Sequence, residues 1–112
     1  VIAVASGKDM NSLYYAGMVG ILDPPRTGCK ESVEIVKSAG VAVKMITGDS
    51  IETACSIGQR LQIYSPNDSC LSGQQIDEMS DHELELIIKN VVVFYRASPR
   101  HKLKIVKVSF CF

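Results

Sequence analysis

The stretch VAVKMITGDSIETACSIGQRL, residues 41–61, passes from a β-branched run through four small polar residues into a helical pattern. The run VAVKMI at 41–46 predicts a strand. Over residues 50–62 the apolar side chains that recur on one helical face are Ile51, Ala54, Cys55, Gly58 and Leu61. A strand that leads through a short loop into a helix is typical of α/β folds.

The same alternation continues on both sides of this stretch. Residues 28–39 predict a helix, and Gly40 stands where a left-handed C-terminal cap belongs. The run VVVFY at 91–95 predicts another strand. The apolar residues at helical spacing in the first helix are Cys29, Val33 and Val36.

Three serines predict further helix starts. Ser72 with Gln75, and Ser80 with Glu83, each match a capping box. Ser98 followed by proline at the first helical position predicts the start of a last helix. The residues expected to face inward are Leu84, Ile87 and Ile88 in the helix after Ser80, and Leu103 and Val106 in the last helix.

The first part of the chain follows a different pattern. Residues 1–6 and 13–22 predict two strands separated by a polar turn. The segment Asp23-Pro24-Pro25-Arg26 then interrupts the pattern. Two consecutive prolines fix φ and remove two backbone donors, so this segment predicts a stiff connector at a domain edge.

Strands that alternate with helices predict a Rossmann-like α/β fold, with a parallel sheet covered by helices on both faces. In such sheets ligands bind beyond the C-terminal ends of the strands, where loops lead into helices. Two loops, at 47–50 and 96–99, occupy that position in this chain.

The composition limits the protein to one domain of ordinary globular character, with 112 residues, 46% hydrophobic and 21% charged. Twelve basic and twelve acidic residues cancel, which argues against a surface built for nucleic acid or anionic lipid. No apolar run reaches the roughly 18 residues that span a bilayer. These residues are therefore expected in or facing the cytosol, and a membrane-spanning parent chain stays open.

The four cysteines, at 29, 55, 70 and 111, have no metal-ligand spacing. They are expected to be small buried hydrophobic residues in a reducing compartment. No metal site is predicted from the residues of this segment.

The loop after the strand at 41–46 has the chemistry of an anion site. Thr47 offers a hydroxyl and Gly48 an unobstructed N–H, and the first amides of the next helix are expected to point the same way. Asp49 would repel an anion, so it is expected to cap the helix or to engage a nucleotide hydroxyl or a metal-bound water. The alternative reading is that Thr-Gly-Asp-Ser is only a turn and a cap.

The second loop adds positive charge. Lys102 lies one turn into the helix after VVVFY, so its ammonium is expected on the same side of the sheet as Thr47, and Arg96 stands at the end of the strand. The alternative is an ordinary solvated face of basic residues, with His101 also at the surface. The basic residues of this segment are Arg96, Arg100, Lys102, Lys104 and Lys107.

No Walker-type G-x-x-x-x-G-K-[ST] motif occurs in the sequence, and no nucleophile or magnesium-holding carboxylate set is evident. The spacing of the residues alone thus indicates part of a phosphate-handling α/β domain.

Three ordered motifs resemble a known family: GILDPPRTG (20–28), VKMITGDSIETA (43–54) and FYRASPRHKLKIVK (94–107). They resemble the phosphorylation domain of P-type cation-transporting ATPases, members of the haloacid-dehalogenase-like superfamily. The segments AVASG, DPPRTGCKE and YRASPRHK are most similar to the secretory-pathway (Golgi) calcium- and manganese-transporting ATPases.

The resemblance implies roles for the two loops. Thr47 and Gly48 would contact a phosphoryl group and Lys102 would stabilise its charge, while Asp49 and Arg96 would position nucleotide and neighbouring side chains. ATP and Mg²⁺ would be the cofactors, with the Mg²⁺ ligands outside this segment. The parent chain would move Ca²⁺ or Mn²⁺ at a Golgi or secretory-pathway membrane, with these residues on its cytosolic face and the membrane reached only through transmembrane segments outside them.

The resemblance also implies a division of the chain. Residues 1–22 would be the last strands of a nucleotide-binding domain, Asp23, Pro24, Pro25 and Arg26 a hinge, and residues 27–112 part of the phosphorylation domain. The family's D-K-T-G-T acceptor segment and G-D-G-V-N-D magnesium segment do not occur here. This piece alone is thus expected to be inactive, as a truncated product or an excerpt of a longer chain.

Two other functions stay open. One is a soluble haloacid-dehalogenase-like phosphatase, against which the DPPR hinge argues. The other is a fragment without catalytic activity that binds nucleotide.

Overall fold

A computed structural model describes residues 1–109 of the chain. Cys111 and the last residues of the predicted 27–112 domain lie outside the described residues. In chain order the elements are β1 (Ile2–Gly7), β2 (Leu13–Val19), α1 (Cys29–Ser38), β3 (Met45–Ile46), α2 (Ile51–Arg60), β4 (Ser69–Ser72), α3 (Gly73–Glu78), α4 (Asp81–Ile88), β5 (Val91–Tyr95) and α5 (Pro99–Ser109).

The first two strands form an antiparallel hairpin that is separate from the other sheet. Both predicted strands are confirmed, although the second ends at Val19 and not at residue 22. The Ser12 N–H donates to the Asp9 carbonyl at 3.2 Å and closes the polar turn between them. Residues 20–26, which contain the two consecutive prolines, have no regular secondary structure, as expected for a connector.

The second sheet is parallel, with the strand order β3-β5-β4, so β5 is central. Ile46 lies opposite Phe94 on one side, and Leu71 lies opposite Phe94 on the other. The chain is therefore α/β with a small parallel sheet of three strands in the part that the structure describes.

The strand β3 is shorter than the predicted 41–46, because only Met45 and Ile46 pair with β5. In the observed register residue 43 would face Val91, where β5 begins, so residues 41 and 42 extend past the end of the partner strand. The Lys44 ammonium instead donates to three main-chain carbonyls between the end of α4 and the start of β5. The length of β3 is thus set by its partner and not by its own β-branched residues.

Both faces of β5 are covered. Successive strand residues point to opposite faces, and Val93 and Phe94 are both fully buried. Helix α2 contacts β5, and α4 packs against α5. Helix α4 contributes Leu84 and Ile88 to the core cluster that contains Phe94. The core cluster consists of Leu71, Ile76, Leu84, Ile88, Val91, Phe94, Ile105 and Val108.

The sequence pattern missed β4, and for α3 it predicted only the start, at Ser72. Strand β4 has the sequence Ser-Cys-Leu-Ser, with no β-branched residue, and it exists because it pairs with β5. The capping box that starts α3 is nevertheless confirmed: Ser72 Oγ accepts the Gln75 N–H, and Gln75 Oε1 accepts the Ser72 N–H. The second box, between Ser80 and Glu83, starts α4 in the same way.

The buried face of α5 differs from the prediction. Leu103 and Val106 were expected to face inward, but they are 58% and 44% exposed. The buried residues are His101, Ile105 and Val108, which recur at i, i+4 and i+7. Contact with α4 selects this stripe, although both stripes have helical spacing in the sequence.

The other helices lie where they were predicted. In α4, Leu84 and Ile88 are buried and Ile87 packs against the core cluster. In α2, Ala54 and Gly58 are buried, whereas Ile51, expected on the inner face, is 37% exposed.

Helix α1 ends as the sequence predicts. Gly40 has φ +80° just after it, in the left-handed region that favours glycine. Although the helix has the predicted apolar spacing, none of its residues is buried in the part of the chain that the structure describes.

Three cysteines are free thiols that are only partly buried, which corrects the expectation that they belong to the core. The sulphur atoms of Cys55 on α2 and Cys70 on β4 lie 3.9 Å apart. Burial, helped by the neighbouring Cys55, raises the pKa of the Cys70 thiol to about 11.

Candidate functional site

The two loops beyond the sheet are joined by main-chain hydrogen bonds. The Thr47 N–H donates to the Phe94 carbonyl at 2.9 Å, which continues the pairing of β3 with β5. The Ala97 N–H then donates to the Thr47 carbonyl at 2.9 Å, and the Arg96 N–H to the Asp49 carbonyl at 3.0 Å. The loops at 47–50 and 96–99 therefore lie side by side at the carboxyl edge of the sheet, where α/β folds bind ligands.

The Arg96 backbone has φ +49°, in the left-handed region, which is uncommon for a residue with a side chain. Such a conformation costs of order 1–3 kcal/mol and persists only where its surroundings enforce it. Here the enforcing contacts are the bonds of Arg96 and Ala97 to the Thr47 loop. The strained conformation of Arg96 is thus part of the contact between the two loops.

Thr47 and Asp49 form a closed pair within their loop. The Thr47 hydroxyl donates to Asp49 Oδ2 at 2.8 Å, and Thr47 Oγ1 accepts the Asp49 N–H at 3.1 Å. One expectation was that Asp49 caps α2, and this is wrong. The capping residue is Ser50, whose hydroxyl accepts the Thr53 N–H.

Gly48 presents an open main-chain amide between them. Gly48 is exposed, and its N–H makes no hydrogen bond with residues 1–109. A Cβ built on Gly48 would meet only the Ala97 carbonyl oxygen, at 3.8 Å, which is an ordinary contact. Since neither packing nor a left-handed φ requires glycine here, the space in front of this amide is available to a ligand.

The first turn of α2 contributes less than the sequence suggested. The Thr53 amide is bonded to Ser50, and the Glu52 carboxylate accepts a hydrogen bond from its own backbone amide. That bond, the Ser50 hydroxyl and the charge of Arg96 lower the pKa of Glu52 from 4.5. The expectation that these helix amides face a ligand is therefore wrong for Thr53.

The basic residues near the second loop divide into two groups. Arg100 forms an ion pair with Asp77 at 2.6 Å, and Lys104 lies 3.7 Å from Asp81 and donates to carbonyls at the end of α3. Arg100 and Lys104 therefore connect α5 to α3 and to the start of α4. The Lys102 ammonium is exposed and forms no hydrogen bond or ion pair within residues 1–109. Lys102 and Arg96 are thus the cations of the second loop that can turn to an anion.

His101 is buried, which contradicts the expectation that it lies at the surface. Its Nδ1 accepts the Ser98 N–H at 2.9 Å, and its Nε2 lies 3.0 Å from Asp77 Oδ1. The predicted cap by the Ser98 hydroxyl is absent, because this oxygen is buried without a hydrogen-bond partner among the described residues. Sequence reasoning missed His101, although it occupies the third helical position, where Gln75 and Glu83 complete the other two boxes.

A cleft of about 550 Å³ connects this edge of the sheet with the connector after β2. Leu22 and Asp23 line one side, and Asp49, Glu52 and Thr53 line the other. The predicted hinge segment therefore faces the Thr47 loop.

Residues 1–109 hold no group of three His, Cys, Asp or Glu side chains suited to a metal ion. Among the same residues no helix has the length and apolar character needed to cross a bilayer.

No protein-family model matches the chain. Calcium-transporting ATPases match it along most of its length, and three of them are described here. The chain is 53% identical over 107 residues, 96% of its length, to calcium-transporting ATPase type 2C member 1 of Homo sapiens, of which it covers 12%. It is 46% identical over 107 residues to calcium-transporting ATPase type 2C member 2 of Homo sapiens, covering 96% of the chain and 11% of that protein. It is 43% identical over 114 residues to calcium-transporting ATPase 1 of Schizosaccharomyces pombe (strain 972 / ATCC 24843), covering 96% of the chain and 13% of that protein.

Proposed function

Since the chain belongs to the family of the type 2C calcium-transporting ATPases, we propose that it works as part of an ATP-driven P-type pump. The match extends over 96% of this chain and about 12% of the length of those relatives. The pump carries Ca²⁺, and Mn²⁺ as a second ion, through an aspartyl-phosphate intermediate. It acts at a Golgi or secretory-pathway membrane, with the residues of this chain on the cytosolic side.

The role of this chain in the proposal is to bind the transferred phosphoryl group. The observation that carries it is the pairing of Ala97 with Thr47, which brings the two candidate loops to one edge of the sheet. The open Gly48 amide donates to a phosphoryl oxygen, and the Lys102 ammonium neutralises its charge. The Thr47 hydroxyl, held by Asp49 in this structure, turns to the phosphoryl group when it binds.

Asp49 and Arg96 position the nucleotide and the neighbouring side chains. The main-chain bond from the Arg96 N–H to the Asp49 carbonyl supports this role, because it holds the two residues next to each other, and Asp49 lines the cleft beside the connector. The nucleotide is ATP with Mg²⁺. In this proposal the Mg²⁺ ligands come from parts of the pump outside this segment, as the resemblance to the family implies.

The domain organisation follows the same proposal. The β1–β2 hairpin, in residues 1–22, belongs to a nucleotide-binding domain, and Asp23 to Arg26 form the hinge. Residues from 27 onward belong to a haloacid-dehalogenase-like phosphorylation domain, and the three-stranded parallel sheet is its Rossmann-like part. The separate sheets of the two segments support this division.

The experiment measures phosphoenzyme formation in human calcium-transporting ATPase type 2C member 1 whose matching segment is replaced by this chain. Lys102→Ala should lower the amount of phosphoenzyme formed from radiolabelled ATP by at least about tenfold, as expected for loss of one charge-assisted contact. Lys107→Ala, an exposed lysine on the same helix, is the matched control and should behave as the parent chimera. Equal phosphoenzyme levels in both variants would count against the proposal.

A direct binding measurement complements this assay. Inorganic phosphate and ATP are titrated into the 112-residue chain while amide chemical shifts are followed. The proposal expects the largest changes at Gly48 and near Lys102. Changes with phosphate but no phosphoenzyme in the chimera would favour a soluble phosphatase, and changes with ATP alone would favour a fragment that only binds nucleotide.

A further inference from the structure

His101 lies in a closed socket at the start of α5. The residue is 6% exposed, and both nitrogens of its ring have partners. Because the Ser98 main-chain N–H can only donate, Nδ1 must accept it, so the ring proton is on Nε2 and is donated to Asp77 Oδ1. The contacts therefore select one neutral tautomer of His101.

Helix α3 provides the other side of the socket. A Cβ on Gly73 would lie 2.6 Å from two atoms of the His101 ring and 2.3 Å from the Arg96 carbonyl oxygen. Only glycine fits at that distance. Gly73 and Asp77 are four residues apart and thus share one face of α3, where the first gives room for the ring and the second accepts its proton.

The socket is connected to the candidate site by the chain itself. The ring holds the Ser98 N–H, and the preceding residue, Ala97, donates to the Thr47 carbonyl. The residue after His101 is Lys102, the proposed phosphate-binding lysine. A displacement of His101 would thus move both the strained Arg96 loop and the start of the helix that carries Lys102.

We propose that His101 and Asp77 are positioning residues that hold Lys102 and the Thr47 loop at a common phosphoryl group. The proposal rests on the phosphate-binding function above. Neither residue contacts the phosphate: Asp77 orients the ring, and the ring holds the loop and the first turn of α5. Because Asp77 lies on α3 and contacts the His101 ring, α3 helps to hold the two loops in place. The Asp77 side chain is 41% exposed.

A measurement without ligand tests the positioning itself, by amide hydrogen exchange on the 112-residue chain. In Asp77→Ala, the amides of Arg96 and Ala97 should exchange about tenfold faster relative to amides of β5, because the loop loses its support. Asp77→Asn keeps an oxygen that can accept the His101 proton and should stay within about twofold of the parent. Glu78→Ala removes a neighbouring carboxylate that accepts from Gln74, and it should change nothing.

A spectroscopic readout and a binding readout complete the test. The ¹⁵N spectrum of the His101 ring should show protonated Nε2 in the parent and in Asp77→Asn, and lose this preference in Asp77→Ala. Inorganic phosphate, followed at the Gly48 amide, should bind about threefold to tenfold more weakly to Asp77→Ala.

The outcomes separate the two proposals. Unchanged exchange at Arg96 and Ala97 in Asp77→Ala would overturn the positioning role, whether or not phosphate binds. Faster exchange in that variant, with no phosphate response at Gly48 in the parent chain, would leave the positioning role standing and refute the proposed phosphate site. Because Asp77 is partly exposed, these variants test the idea even where His101→Ala does not fold.

Discussion

Replacing Gly48 with alanine should weaken phosphate binding without lowering the stability of the fold. The new methyl group would meet only the Ala97 carbonyl oxygen at 3.8 Å, and the Gly48 φ lies outside the left-handed region. The folded chain therefore accommodates it without strain. Since alanine reduces the entropy of the unfolded chain, the free energy of unfolding should stay equal or rise by about 0.4–1 kcal/mol.

The effect on phosphate binding should have the opposite sign. The Gly48 amide has no partner within residues 1–109, so a bound phosphoryl oxygen would be its acceptor. A hydrogen bond to a charged group contributes about 1.5–3 kcal/mol, and a methyl group beside the amide keeps the oxygen away. Loss of that contact corresponds to a phosphate Kd that is roughly 10-fold to 150-fold higher.

Gly73→Ala is the matched control, because its methyl group would approach the Arg96 carbonyl oxygen to 2.3 Å. That overlap should lower the free energy of unfolding by about 1–3 kcal/mol. Urea denaturation measures stability, and titration with inorganic phosphate, followed by amide shifts, measures affinity. A Gly48→Ala chain that binds phosphate as tightly as the parent, or that loses more than about 1 kcal/mol of stability, would refute the reasoning.

Three further outcomes are expected. The hydrogen bonds from Ser80 lower the pKa of Glu83 below 4.5, so the stability that this cap contributes is present above pH 4.5 and is lost as the pH falls through the lower folded pKa. Thermal denaturation should show a smaller loss of stability in acid for Glu83→Gln than for the parent chain, and parallel curves of stability against pH would contradict this. With a pKa of about 11, Cys70 should alkylate roughly 100-fold more slowly at about pH 8 than a thiol of pKa near 9, and equal rates by mass spectrometry would argue against its burial. Leu84 is fully buried, so Leu84→Ala should cost about 2–5 kcal/mol in urea denaturation, whereas a loss under about 1 kcal/mol would disagree with its place in the core.

The local signals of the sequence were reliable where the physics is local. Both capping boxes form, because a serine hydroxyl and a side chain three residues later need only each other. Gly40 takes its left-handed φ for the same reason, since the backbone there needs no distant partner. The α/β class follows from the alternation of apolar runs and helical patterns, although β4 had no local signal.

Strand limits and buried faces depended on partners far away in the sequence. Strand β3 is short because β5 begins at Val91, and β4 exists only because β5 lies beside it. In α5 the choice between the stripes of Leu103 and His101 was made by the packing of α4 and α3. A periodic pattern gives the spacing of a face but not which of two faces meets a neighbour.

For the candidate site, the sequence by itself determined which groups are present: a threonine hydroxyl and a glycine amide just after one strand, and a lysine in the first turn of the helix after another. Their arrangement was decided by the tertiary structure. Main-chain bonds from Ala97 and Arg96 bring the loops together, and the ring of His101 is buried between them and α3. The bonds from Ala97 and Arg96 join residues that are close only after the parallel sheet has formed, so no spacing along the chain could reveal them.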